Sequence, residues 1–243
     1  MTSDQTAVVL TGASAGIGLA LLETISKEAY VIAVSRTRPK LTSFNGHWIP
    51  GDLGTPNVVL DDILNLLRTE QRSLEGLVHC AVSYGASQRH PFLDTPVGEW
   101  DEVMTVNVRS QFILTLGLLP LLLQRSKAFI VSLTSDVATI PGPHRVAYAC
   151  SKAASYALFA GLSAELAESS VSVIQMLPER QVVTRGLRRR RAPDFHFLGY
   201  SSPEIFRSPF QSILANCGSG LNGACLLVSE KGVKDIRASC KSS

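Results

Sequence analysis

The stretch AVVLTGASAGIGLALLETISKE, residues 7 to 28, decides the fold that this sequence predicts. An apolar run typical of a buried strand leads into a glycine-rich turn and then into a run with helical spacing. Gly12 permits a tight turn, Gly16 lets the backbone approach a phosphate, and Gly18 allows close packing of helix on strand. Exposed N–H groups at the positive end of the helix would bind a pyrophosphate. The stretch therefore predicts a dinucleotide site, the alternative being an ordinary packing turn.

Apolar strands alternate with helices along the rest of the chain. We predict further strands at 30–35, 47–52, 76–82, 127–135, 170–177 and 223–229, and helices at about 58–70, 100–124, 148–169 and 203–216. This alternation favours parallel strands with helices on both faces of the sheet. The predicted fold is α/β, a single-domain doubly wound parallel sheet of Rossmann type that spans residues 1–243.

The bulk composition excludes several classes of protein. The 243 residues are 45% hydrophobic and 18% charged with a net charge of +3, which is typical of a globular protein and gives no support for nucleic-acid binding. The five cysteines form no CxxC, so we expect reduced thiols, no metal site and a cytoplasmic protein. The apolar stretch 112–123 is too short to span a bilayer, and the first strand leaves no room for a leader, so we expect no membrane partner.

The end of the second strand predicts which dinucleotide binds. NAD-binding folds usually place a carboxylate there for the ribose 2′-hydroxyl, whereas this chain has Ser35 and Arg36, followed by Arg38. A guanidinium with a neighbouring hydroxyl suits a 2′-phosphate. NADP(H) is the predicted cofactor, and the alternative is a solvated arginine after a strand.

A serine, a tyrosine and a lysine predict the chemistry. Tyr148 and Lys152 lie four residues apart, so they project from one face of a helix. A free phenol has a pKa of about 10, which we expect the lysine ammonium to lower. Tyr148 could then donate a proton to a carbonyl oxygen, and Ser135 could donate a hydrogen bond to the same oxygen. The alternative is a buried tyrosine, a snorkelling lysine and an unrelated serine.

Together with Asn107 in the sequence VNV, these motifs resemble the short-chain dehydrogenase/reductases from residue 7 to about 232. The segment AVSRT (33–37) is similar to that of the NADP(H)-preferring carbonyl reductases in this family. The resemblance implies that Lys152 also holds the nicotinamide ribose and that Asn107 holds a water linking this lysine to solvent. It implies a small-molecule carbonyl or alcohol substrate, and we expect a homodimer or homotetramer. The implied cofactor contacts are Gly12, Ser14, Gly16, Ile17, Gly18, Ser35, Arg36, Asp52, Leu53, Ala81, Tyr148, Lys152, Val183 and Thr184.

The chain departs from the family pattern in three places. The fourth strand usually ends Asn-Asn-Ala-Gly, where this chain has residues 79–82, HCAV, and we interpret His79 as structural. After the sixth strand Glu179 replaces a glycine, and it either points into the pocket or caps a rearranged loop. Ala15 stands where the family has its other basic contact to the 2′-phosphate, so we expect cofactor preference to depend heavily on Arg36.

Residues 179–202 occupy the place of the family's mobile substrate lid. The arginine run 188–191 could grip an acidic substrate, contact nucleic acid or lie in solvent, and three aromatic residues could close an apolar pocket. The sequence thus predicts an NADP(H)-dependent reductase of a ketone or aldehyde on a bulky, largely apolar molecule. The alternatives are a regulatory module that binds the cofactor without turnover and a non-redox isomerase or cyclase. The candidate pocket residues are Phe195, Phe197 and Tyr200 in this segment and, by their position in the sequence, Tyr84 and His144.

Overall fold

Eight strands form one sheet in the computed structural model, which describes residues 6–85, 90–189, 191, 192 and 194–237, without the side chains of residues 185 and 189. They run in the spatial order β3-β2-β1-β4-β5-β6-β7-β8, and every neighbouring pair is parallel except β7 with β8. The chain order reverses between β1 and β4, so a crevice opens beyond the carboxyl ends of these two strands. The strands are β1 (Thr6–Thr11), β2 (Tyr30–Ser35), β3 (Gly46–Pro50), β4 (Ser73–His79), β5 (Ala128–Leu133), β6 (Val171–Pro178), β7 (Cys225–Ser229) and β8 (Gly232–Asp235).

Helices connect the strands and cover the sheet on both faces. The residues Thr105–Arg109 form a π-helical turn between the third and the fourth helix. The helices are α1 (Gly16–Ile25), α2 (Pro56–Thr69), α3 (Val97–Met104), α4 (Ser110–Leu122), α5 (Val146–Glu165), α6 (Arg185–Arg189) and α7 (Arg207–Asn216).

The central strands are apolar on both faces because each face packs on its own layer of helices. In β1, Val8 and Leu10 join a core that includes residues of α1 and α7, whereas Ala7 and Val9 join a core with residues of α2, α4 and α5. Burial on both faces explains why the strands appear in the sequence as continuous apolar runs. The predicted doubly wound sheet in a single domain is confirmed.

The helical segment Val97–Leu122 is long and apolar enough to cross a membrane by length and composition alone. Leu114, Leu118 and Leu122 are fully buried in the core beneath the sheet. A core helix that packs on a sheet meets the same criteria.

Several boundaries differ from the sequence prediction. Strand β4 ends at His79, so Cys80 to Val82 lie in the loop that follows, and the helix predicted at 100–124 is divided by the π-helical turn. Helix α6 and the antiparallel edge strand β8 were not expected. Arg190 of the arginine run and Cys240 lie outside the described residues.

Candidate active site

A cleft of about 1260 Å³ lies beyond the carboxyl ends of the strands, at the crevice between β1 and β4. It contains the glycine turn at one side and the Tyr148 phenol at the other, and the volume is ample for a dinucleotide together with a small substrate. The predicted site residues that line it are Gly12, Ser14, Gly16, Ile17, Gly18, Ser35, Arg36, Asp52, Leu53, Ala81, Ser135, Tyr148, Lys152 and Thr184.

The glycine turn has no room for side chains. Gly12 has φ +73°, and a Cβ there would lie 2.7 Å from the Ala81 backbone, where β4 leaves the sheet. A Cβ on Gly18 would lie 2.2 Å from the carbonyl oxygen of Gly12. The residue before α1 is Ala15, which makes no side-chain cap, so the first N–H groups of the helix are left for a ligand. The turn therefore has the shape and the free N–H groups that a pyrophosphate requires.

Cations surround the far end of the cleft at the end of β2. Arg36 is exposed, and Arg38 and Lys40 line the same cleft, with the Arg38 guanidinium 5.9 Å from the centre of the Trp48 ring. The hydroxyl of Ser35 donates to the Thr37 carbonyl at 2.8 Å and accepts from the Trp48 indole at 3.2 Å. These two hydrogen bonds fix the Ser35 side chain at this corner of the cleft, and its predicted contact with a 2′-phosphate stays a prediction.

The altered end of β4 is held by a residue that the sequence analysis missed. The Thr11 hydroxyl accepts from the backbone N–H groups of Cys80 and Ala81, at 3.2 and 3.3 Å, and donates to the Val78 carbonyl. His79 points to the other side of the sheet, where its Nε2 lies 2.9 Å from the Thr115 hydroxyl and burial lowers its pKa to about 3. A neutral, buried imidazole outside the cleft supports the structural interpretation of His79.

Ser135 and Tyr148 converge on one point of the cleft. Tyr148 is 6% exposed, and its hydroxyl shares a hydrogen bond with that of Ser135. The Ser135 hydroxyl also lies 2.8 Å from a carboxylate oxygen of Asp136. Burial raises the pKa of Tyr148 well above its usual value, with Tyr84 adding to the rise, while the Ser135 hydrogen bond and the charge of Arg145 act against it.

Lys152 is placed differently from what the sequence suggested. Its ammonium donates to the Leu133 carbonyl at 2.7 Å, and burial lowers its pKa to about 8, against the influence of Cys80. We expected this lysine to lower the pKa of Tyr148, an effect that stays a prediction, whereas the net shift of the phenol in this structure is upward. The desolvation of the phenolate outweighs the opposing effects.

Asn107 is fully buried in the π-helical turn and does not line the cleft. Its side chain accepts from the Ser83 N–H and donates to the Ser83 carbonyl, both at 2.7 Å, and it also donates to the Ser151 hydroxyl at 2.9 Å. In this arrangement Asn107 fixes the loop after β4. The role implied by the resemblance, holding a water, stays a prediction.

The segment after β6 brings Glu179, Val182 and Thr184 to the cleft. Thr184 lies beside the glycine turn, since a Cβ on Gly16 would be 2.9 Å from its methyl group. Val183 does not line the cleft, whereas its neighbour Val182 does, and the Val183 N–H donates to the Ser201 carbonyl at 2.9 Å. Glu179 lines the cleft while its own N–H bonds to β7, which favours the pocket alternative.

The aromatic residues of the predicted lid pack on one another and not on the cleft. The Phe195 and Phe197 rings lie 5.0 Å apart, and Tyr200 meets both edge-on. The guanidinium of Arg188 lies 4.9 Å from the centre of the Phe197 ring, and that of Arg191 lies 4.7 Å from Phe195. Among the described residues of α6 and the loop after it, Gly186, Leu187 and Arg191 line the cleft, as do the predicted Tyr84 and His144 elsewhere.

Comparison with known proteins agrees with the fold. The model of the short chain dehydrogenase family matches residues 6–191. A short chain dehydrogenase of Pseudocercospora fijiensis is 32% identical over 186 residues, which cover 72% of this chain and 59% of that protein's length. A Pseudomonas syringae structure assigned as a short chain dehydrogenase has a TM-score of 0.78 at 26% identity and covers 92% of this chain and 94% of its own.

A second structure was solved with NADP. This protein, from Beutenbergia cavernae, is assigned as an NAD(P)-dependent gluconate 5-dehydrogenase. It is 28% identical, has a TM-score of 0.75, and covers 91% of this chain and 93% of its own. The family match extends over most of the chain, from the glycine turn through Ser135, Tyr148 and Lys152. The chain therefore belongs to the short chain dehydrogenase family of oxidoreductases.

Proposed function

We propose that this chain is an NADP(H)-dependent reductase that converts a ketone or aldehyde to an alcohol. The observation that carries the proposal is the hydrogen-bonded pair of hydroxyls, Ser135 and Tyr148, at one point of a cleft that also contains the glycine turn. A carbonyl oxygen placed at this point could accept hydrogen bonds from both hydroxyls.

The described residues fit the proposed cofactor. The open amino end of α1 and the bare backbone at Gly12 would hold the pyrophosphate. Arg36, Arg38 and Lys40 would surround a 2′-phosphate, which a carboxylate at the end of β2 would repel. When bound, the nicotinamide supplies the hydride that reduces the carbonyl carbon.

The chain supplies the proton. As the carbonyl carbon gains hydride, Tyr148 donates its phenolic proton to the oxygen, and Ser135 holds that oxygen by a hydrogen bond. A positive charge at Lys152, one helical turn along α5, would stabilise the phenolate that remains. Since burial holds the pKa of Tyr148 high, the phenol is protonated near neutrality, which suits the direction of reduction.

The substrate, assembly and location are further parts of the proposal. We expect a bulky, largely apolar carbonyl compound, for which the aromatic residues of the lid at 179–202 would have to turn towards the cleft. We also expect a cytoplasmic homodimer or homotetramer. Phe112 and Leu116 expose an apolar face on α4, 50% and 62% exposed, which a second copy could cover.

Substitution of Tyr148 by phenylalanine tests the proposal. Purified protein should oxidise NADPH in the presence of a member of a panel of aromatic ketones and diketones. Tyr148→Phe should lower kcat by about 100- to 10,000-fold, because the proton donor is lost while the ring still packs. Tyr156→Phe, on the same helix but outside the cleft lining, is the matched control and should keep the activity.

Two results would contradict these roles. Full activity of the Tyr148→Phe variant would show that Tyr148 is not the proton donor. Tight NADPH binding with no turnover of any carbonyl would favour a cofactor-binding module, for which the presence of Val82 and Glu179 in the cleft is the motivating observation.

A further inference from the structure

Tyr84 contacts the proposed proton donor, Tyr148, within the cleft. The rings of Tyr84 and Tyr148 lie 4.8 Å apart with an interplanar angle of 34°, and their hydroxyls share a hydrogen bond. Tyr84 lies in the loop after β4 and lines the cleft, with 37% of its surface exposed. Ring contact and hydroxyl contact together make Tyr84 a neighbour of the reacting atom itself.

The loop that carries Tyr84 is held on both sides. Before it, the backbone N–H and carbonyl of Ser83 both bond to the buried amide of Asn107, at 2.7 Å each. After it, Gly85 has φ +77°, and its N–H donates to the Ser83 hydroxyl at 3.2 Å. The same hydroxyl donates to Glu102 at 2.9 Å. These contacts fix the Tyr84 backbone at the edge of the cleft, so its phenol reaches Tyr148 from a rigid support.

We propose that Tyr84 is a positioning residue of the active site, whose phenol orients the hydroxyl of Tyr148 and keeps it in the protonated form that donates to a carbonyl oxygen. This role rests on the proposed function, in which Tyr148 is the acid. It also assigns a task to Asn107, which acts through Ser83 to hold Tyr84 in place.

The physical reason is that the hydrogen bond from the Tyr148 hydroxyl to the Tyr84 oxygen exists only while Tyr148 keeps its proton. Loss of that proton would break the bond and leave a phenolate in a site where burial already penalises the charge. The pKa of Tyr148 is therefore held up by burial and by Tyr84. Apart from Arg36, Arg38, Lys40 and Asp52 at the cofactor end, the charged and titratable groups that line the cleft with this phenol are Cys80 and Tyr84 after β4, His90, Glu99 and Glu102 on or before α3, Asp136 after β5, Glu179 and Arg180 after β6, Arg191 after α6, and Arg145, Lys152 and His144 on or before α5.

The experiment measures the ionisation of Tyr148 directly, without turnover. Protein labelled with ¹³C at the tyrosine Cζ is titrated with base and followed by NMR, and single Tyr→Phe substitutions assign the resonances of the five tyrosines. Tyr84→Phe keeps the ring and removes the hydroxyl. The Tyr148 resonance should then titrate about one pH unit lower than in the wild type. Tyr30→Phe, at the amino end of β2 on the opposite edge of the sheet, is the matched control and should leave the Tyr148 curve unchanged.

Identical Tyr148 curves in the wild type and in Tyr84→Phe, including no titration in either protein, would overturn the proposal. In turnover assays, the alkaline limb of kcat/KM should move to lower pH in Tyr84→Phe, whereas a merely structural role would lower kcat/KM at every pH alike. A failure of this proposal can be distinguished from a failure of the proposed function. A protein that turns over no carbonyl but shows the shifted NMR curve refutes the proposed function and leaves the contact between the two phenols intact.

Discussion

Arg36 shares its end of the cleft with two more cations, and this changes what a single substitution can do. Arg38 and Lys40 line the same corner, so a 2′-phosphate would meet three positive charges rather than one. The sequence predicts that cofactor preference depends heavily on Arg36, and we propose that Arg38 and Lys40 share this role. Only Arg36 follows β2 directly, where a carboxylate would meet the ribose of NAD.

Substitution Arg36→Asp should lower the ratio of NADPH to NADH affinity about tenfold or more, because a carboxylate repels the 2′-phosphate and accepts from a 2′-hydroxyl. The measurement is the Kd of each nucleotide, from the change in protein fluorescence on binding. Lys40→Gln, which removes a cation from the same corner without adding a negative charge, is the matched control and should have a smaller effect. An unchanged ratio in Arg36→Asp would mean that other residues discriminate between the two nucleotides.

At the scale of elements, the segment between β6 and α7 is held at its base. Gln181 and Val183 exchange backbone hydrogen bonds with Ser201, at 3.0 and 2.9 Å, which closes residues 184–200 into a loop of its own. Within that loop Phe197 and Phe195, which do not line the cleft, pack with Arg188 and Arg191. The two ends of this loop are therefore joined to each other by backbone hydrogen bonds.

Binding of NADPH should slow hydrogen exchange in residues 184–200 and leave the base at 181–183 and 201 unchanged, because closure over the cofactor excludes water from the loop. Exchange measured by mass spectrometry with and without NADPH checks this, with strand β8 as the internal reference. Equal hydrogen exchange of residues 184–200 with and without NADPH would contradict the hypothesis that this segment is a lid. The preference for a bulky apolar substrate would then lose its support.

The elements show where sequence reasoning succeeds and where it fails. Apolar strands and the glycine turn are visible because burial on both faces and a tight turn each restrict residue type locally. The π-helical turn at Asn107 was not predicted, since one extra residue in a turn hardly alters an apolar pattern that continues on both sides. Strand β8 was missed because its four residues have no buried face. Thr11 was missed because its hydroxyl bonds to residues about seventy positions away.

At the scale of the whole molecule, the site depends on which strand ends become neighbours. Ser135 follows β5, Tyr84 follows β4 and Tyr148 begins α5, and the sheet order brings them to one edge. The family pattern predicted Ser135 and Tyr148 as a pair. The contact of Tyr84 with Tyr148 could not be predicted, because it depends on how the Asn107 amide folds the loop after β4.

The buried imidazole of His79 makes the stability of the whole fold sensitive to acid. In the folded protein it binds a proton only near pH 3, whereas in the unfolded chain it does so near its ordinary value of 6.5. Between these two pH values the unfolded chain binds one proton more than the folded protein, so a lower pH shifts the folding equilibrium towards the unfolded chain. This contribution to stability is complete above about pH 6.5 and is lost as the pH falls towards about 3, at up to about 1.4 kcal/mol per pH unit.

His79→Asn should therefore flatten the decline of the free energy of unfolding in mild acid, as measured by urea titration at a series of pH values. His47→Asn, which removes an exposed imidazole from β3, is the matched control for loss of a histidine. Parallel curves for wild type and His79→Asn would show that His79 carries its proton in the folded state as well. If the curves diverge as expected, one side chain beneath the sheet makes this protein suited to neutral surroundings and prone to unfold in acidic ones.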